Sequence, residues 1–144
     1  MEKSRIFFDN EIAIVYFNCA LDALVLEYKA KNKSFSDFIE ANTATLEAFT
    51  LLNTTNFITD FRYSKAAPLR AQQWILENLF PKAAEHLKGK VLLHLQLMGS
   101  DNLLSKATLM QFKEIARSRN FVFEQFTSET KLTSFLNKRL KKAS

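Results

Sequence analysis

The sequence predicts an α/β domain built on one mixed sheet, with antiparallel strands first and about four helices after them. Three observations lead there. Residues 5–28 hold three short runs of alternating side chains, the period of two expected of strands. From residue 34 onward, helical periodicities alternate with short apolar runs, the pattern of strand–helix–strand units. One of those runs, Val91–Met98, is apolar on both faces, as a covered parallel strand has to be.

Arg5–Asp9, Ile12–Phe17 and Ala23–Tyr28 are the opening strands. Ile12, Ile14 and Tyr16 alternate with Ala13, Val15 and Phe17, and Leu24, Leu26 and Tyr28 alternate with Val25 and Glu27. Asp9-Asn10 and the stretch Asn18–Asp22 supply turn residues, so an antiparallel meander follows. Ser34 caps a helix running to about Leu52, with Asp37 at its third position as an imperfect capping box. Its apolar stripe is Phe35, Phe38, Ile39, Leu46 and Phe49, interrupted at Asn42. Phe57–Phe61 is the fourth strand. Pro68 fixes a helix start, behind Ala67 as a poor cap. Leu69, Ile75, Leu76, Leu79 and Phe80 bury against the sheet, and Pro81 ends or kinks the helix. A short continuation stops before Gly89, a left-handed cap. Lys90–Met98 is a central strand, and Gly99-Ser100-Asp101 starts a helix reaching Arg119, with Leu104, Thr108, Phe112 and Ile115 on one side. Phe121–Phe126 is the last strand. Ser128 caps a final helix whose stripe is Leu132, Phe135, Leu136 and Leu140.

At 144 residues with 47% apolar side chains, the chain reads as a single domain over 1–144. Its apolar runs are too short to cross a bilayer, and no secretory leader is visible, so a cytoplasmic protein is expected. A single cysteine, Cys19 in a turn, excludes an internal disulfide framework. The net charge of +5 is no nucleic-acid signature. Residues 1–130 hold fifteen basic and fifteen acidic side chains, and the excess is Lys131, Lys138, Arg139, Lys141 and Lys142 at the last helix. Cations there complement the helix dipole, and basic residues interleaved with aromatics over a face are absent.

The two glycines, at 89 and 99, leave no room for a glycine-rich phosphate loop. His86 and His94 lie apart with no metal-ligand spacing, so neither a metal nor another cofactor is expected; His86 reads as solvated. No nucleophile–base motif points to an enzyme. The best site candidates lie where an open sheet places its binding edge, at the carboxyl end of a strand: Asp60, Arg62, Tyr63 and Ser64, with Trp74 on the following helix. Either Asp60 and Arg62 meet a ligand or partner and Ser64 is modified, or Asp60 holds loop amides and pairs with Arg62. His94 and Gln96 share one face of their strand; they line a small pocket beside Asp60, or His94 is satisfied inside the core. Fourteen phenylalanines fall mostly on apolar stripes. Phe7 and Phe8, adjacent on a strand, are expected on opposite faces. With helices on one side only, one of them would lie near solvent, which points to a self-associating edge or an apolar pocket covered by the meander; a twofold homodimer through the first strands is the simplest outcome.

The element order, with Asp60, Arg62, Pro68, Trp74, Phe80 and Pro81, resembles the STAS-like (SpoIIAA-like) group of small bacterial proteins, whose fold is similar to the CRAL-TRIO lipid-binding domain. True anti-anti-sigma factors carry an aspartate-serine-serine-glycine turn with a phosphate-accepting serine. Here the stretch is Ser64-Lys65-Ala66-Ala67-Pro68-Leu69, without the glycine or the paired serine. The resemblance implies a non-catalytic regulatory module that meets a protein partner through the Asp60–Ala67 edge and the Pro68 helix. Its CRAL-TRIO side implies a small apolar or acyl ligand with His94 and Gln96 at the polar head.

Overall fold

The structure, a computed structural model, describes residues 1–65 and 68–143, and leaves out the side chains of 69 and 141–143. The expectations for Ala66, Ala67, the Leu69 side chain and the Lys141 and Lys142 side chains lie outside what is described. Six strands form one sheet in chain order: β1 (Arg5–Asp9), β2 (Ala13–Asn18), β3 (Ala23–Tyr28), β4 (Asn56–Asp60), β5 (Leu92–Leu97) and β6 (Phe121–Phe126). β1 to β3 pair antiparallel, and β3 to β6 pair parallel. β5 is interior but lies one strand in from the β6 edge; the central pair is β3 and β4.

Each parallel step needs a crossover, and right-handed crossovers between successive neighbours put their helices on one face. The crossovers are α1 (Phe35–Thr50), the run from α2 (Leu69–Trp74) through a π turn (Ile75–Leu79) to α3 (Phe80–Leu87), and α4 (Lys106–Ser118). On that face Leu24, Leu26, Phe57, Phe121 and Phe123 meet Phe38, Phe49, Phe80 and Ala116. The opposite face is not bare: α5 (Glu129–Ala143) lays Leu132 and Leu136 on Ile14, Tyr16, Val25, Ile58, Leu93, Leu95 and Leu97.

The α1 start is a complete capping box: the Ser34 hydroxyl accepts from the Asp37 amide and the Asp37 carboxylate from the Ser34 amide, both at 3.0 Å. The break in its stripe has a partner, since the buried Asn42 amide group donates to the Tyr28 hydroxyl at 2.9 Å. Left-handed positions, with glycine so scarce, fall on Asp22, Lys88 and Asn120 as well as Gly89.

Several expectations are corrected. Phe7 and Phe8 pack on the same core, because a bulge between Ile6 and Phe8 shifts the register and turns both inward; the reason for a dimer through β1 goes with it. Pro68 is the cap of α2, extended at ψ 160°, rather than its first helical residue. Pro81 does not end its helix, which continues to Leu87 as expected. The chain adopts a π turn just before it, and Phe80 donates to Ile75 five residues back. Gly99-Ser100-Asp101 opens only a 3₁₀ turn (Ser100–Asn102); α4 starts at Lys106, where Ser105 accepts from the Thr108 amide. The side of α4 that packs inward runs through Leu109, Phe112 and Ala116, and Ile115 is exposed. On α5, Leu140 is likewise exposed. His86 is half-buried, edge-on to Phe49 and 3.0 Å from the Leu52 carbonyl oxygen.

Candidate functional site

The strand parity of β4 and β5 divides the candidate residues between two places. Asp60 shares its side with Ile58, facing α5. His94 lies in register with Phe57 and Phe123, and Gln96 with Thr59 and Gln125, on the face under the crossover helices. The expected pocket of His94 and Gln96 beside Asp60 is therefore split by the sheet itself.

At the Asp60 end, the carboxylate is buried (1% exposed) and consumed locally. It accepts from the Arg62 backbone amide at 3.0 Å and from the Arg62 guanidinium at 2.9 Å. The other side of that guanidinium reaches Glu129, at the start of α5, at 3.2 Å. Hydrogen bonding to Asp60 pushes the Arg62 pKa still higher. This pair fixes the turn and staples β4 to α5, so the local alternative for Asp60 and Arg62 describes the geometry. Tyr63 is exposed (67%), with Arg62 over its ring. Ser64 is buried (5%); its hydroxyl lies 2.8 Å from the Lys33 amine, which also donates to the Lys65 carbonyl. Burial pushes the Lys33 pKa down to about 8. Trp74 packs its ring against the helix-covered core rather than standing free.

The other place is a cavity between helices. Among the described residues, no Cα of α4 comes within 8 Å of one in α2, the π turn or α3, so these crossover helices leave a gap above β5. Ile75, Leu76 and Phe80 line one wall, Leu104 and Phe112 the other, and Phe61 and Met98 lie toward the carboxyl ends of the strands. The floor, from the sheet, mixes polar His94, Gln96 and Gln125 with Phe121 and Phe123. About 60 Å³ is open to the centres of water-sized molecules, several times the roughly 10–15 Å³ that one water needs. The π turn shapes this wall. In its register the Leu76 carbonyl would take the amide of residue 81, and Pro81 has none; Arg119, just past α4, donates to that carbonyl instead at 2.9 Å.

His94 is 3% exposed, stacked on Phe57 and flanked by Phe80 and Phe123. Burial lowers its pKa to about 3, so the ring is neutral at physiological pH. One nitrogen, Nε2, meets the Thr59 hydroxyl at 3.1 Å, while Nδ1 is buried with no hydrogen-bond partner among the described residues. Gln125 donates to the Gln96 side-chain oxygen at 2.9 Å and accepts from the Leu104 amide at 3.2 Å. Gln125, Arg119 and Lys33 were missed in the sequence. Gln125 had a signal, because it shares parity with Phe121 and Phe123 on an otherwise apolar face. The other two had none, since their partners are backbone carbonyls and a hydroxyl distant in sequence.

Among the described residues, no cluster of three or more His, Cys, Asp or Glu side chains is placed to hold a metal ion, and no helix is long and apolar enough to cross a membrane. No family model, curated protein or solved structure matches the chain.

Proposed function

We propose that this chain is a non-catalytic, STAS-like binding module whose ligand is a small, largely apolar molecule held between the π turn, α4 and β5. One observation carries the reading: an apolar cavity with a few convergent polar groups, among them a buried histidine nitrogen without a partner. Pockets that bind small molecules have this make-up, mostly apolar walls with a few placed polar groups. A π turn in the wall supports it, since such turns recur at functional sites. The Asp60–Ser64 edge is a weaker place for a partner, because Asp60 and Arg62 already satisfy each other and Ser64 is covered.

Native mass spectrometry of freshly purified protein tests the proposal. A bound small mass is expected, lost when Leu104→Trp fills the cavity from that wall. Protein that is always empty, and that no apolar compound stabilises against heat, would refute it.

A further inference from the structure

Resting on the pocket reading above, we infer that the ligand is uncharged and presents a hydrogen-bond acceptor, a carbonyl oxygen of a ketone, ester or amide, to His94 and Gln96. The first ground is charge. None of the fourteen residues lining the cavity is ionised: they are apolar, amide-bearing, or the neutral His94. A carboxylate or ammonium brought here would lose its hydration with no opposite charge to replace it, and would bind more weakly than a neutral probe of the same size.

The second ground is proton bookkeeping on the floor. The Leu104 amide can only donate, so the Gln125 atom it meets is the side-chain oxygen, and the Gln125 nitrogen then faces Gln96. The Gln96 atom that accepts must be its oxygen, which leaves the Gln96 NH₂ with no acceptor among the described residues. Among the described residues, the Thr59 hydroxyl has His94 Nε2 as its one hydrogen-bonding partner. A buried hydroxyl gives its proton where an acceptor exists, so Nε2 accepts and the ring proton sits on Nδ1, the atom without a partner. The histidine tautomer is thus assigned from its neighbours. Both unused groups on the floor, His94 Nδ1–H and Gln96 NH₂, are donors. An oxygen acceptor on an otherwise apolar body complements them, whereas a plain hydrocarbon leaves them unpaired.

The test compares three single-ring probes of similar size with the full chain: acetophenone, benzoate and ethylbenzene. Binding is followed by titration of amide chemical shifts, with Gln96→Leu as a folded control checked by its thermal melt. Acetophenone is expected to bind at least tenfold more tightly than either other probe, and Gln96→Leu to bring it near ethylbenzene. Benzoate binding as well as acetophenone, or ethylbenzene equalling it, overturns the acceptor inference and leaves the pocket standing as a binding site. If none of the three shifts residues around Phe112 and Phe123, the pocket reading falls, and the inference with it. Should Gln96→Leu fail to fold, His94→Phe replaces it with the same expected loss of preference.

Discussion

The Arg119 guanidinium donates to the Leu76 carbonyl across the open gap between two crossover helices, and Pro81 is the reason that carbonyl is available. Among the described residues α4 and the π turn do not otherwise pack, so this link bridges the gap over the cavity. Arg119→Ala should cost about 1 kcal/mol, below the range of about 1.5–3 kcal/mol for a charged hydrogen bond because the site is exposed. In a Pro81→Ala background residue 81 regains an amide, and removing Arg119 should then cost little. A double-mutant cycle by urea denaturation measures this coupling, and additive costs would show that the two residues act independently.

Asp60 and Arg62 should respond unequally to substitution. Arg62→Met strands a carboxylate that is 1% exposed, and losing one partner of a buried pair costs about 3–5 kcal/mol. Asp60→Asn leaves a partly exposed guanidinium that still reaches Glu129, so a cost nearer 1–2 kcal/mol is expected. Chemical denaturation decides; equal costs, or the reverse order, would contradict the staple described for β4 and α5.

His94 gives the fold an acid limit. Its folded pKa, about 3, lies below the ordinary value of 6.5, so below pH 6.5 the unfolded chain binds a proton that the folded chain refuses. The stability this contributes is complete above pH 6.5 and drains away as the pH falls toward 3, with a slope of up to about 1.4 kcal/mol per pH unit. His94→Phe keeps the stacked ring and removes the titration. Its stability should fall less steeply between pH 6 and 4 than that of the parent protein; parallel curves would show that the histidine is protonated within the fold.

Ser34→Ala removes the hydroxyl that caps α1 and should cost about 1 kcal/mol. A thermal or urea melt reads it, and an unchanged midpoint would mean that solvent satisfies the Asp37 amide equally well.

The fold was largely legible because alternation and capping are local. β1, β3 and β6 fall on the residues their patterns indicate, and the Ser34–Asp37 box is complete. What misled the reading is geometry that one or two residues decide. The bulge at Phe7–Phe8 carries no glycine to announce it, and Ser105 rather than Gly99 caps α4 because the chain at Leu103 is still extended, at ψ 141°. The split between Asp60 and His94 was within reach, since parity along two paired strands separates them. That Gln96 and Gln125 meet required knowing that β5 and β6 are neighbours in register.

Helix α5 covers the second side of the sheet, and its residues are synthesised after all six strands. A ribosome that has delivered all six strands has delivered a nascent ribbon with Tyr16, Ile58 and Leu95 still uncovered. Until the segment holding Leu132 and Leu136 emerges, that surface is adhesive, and shielding of the newborn chain rather than the finished molecule sets its risk of aggregation.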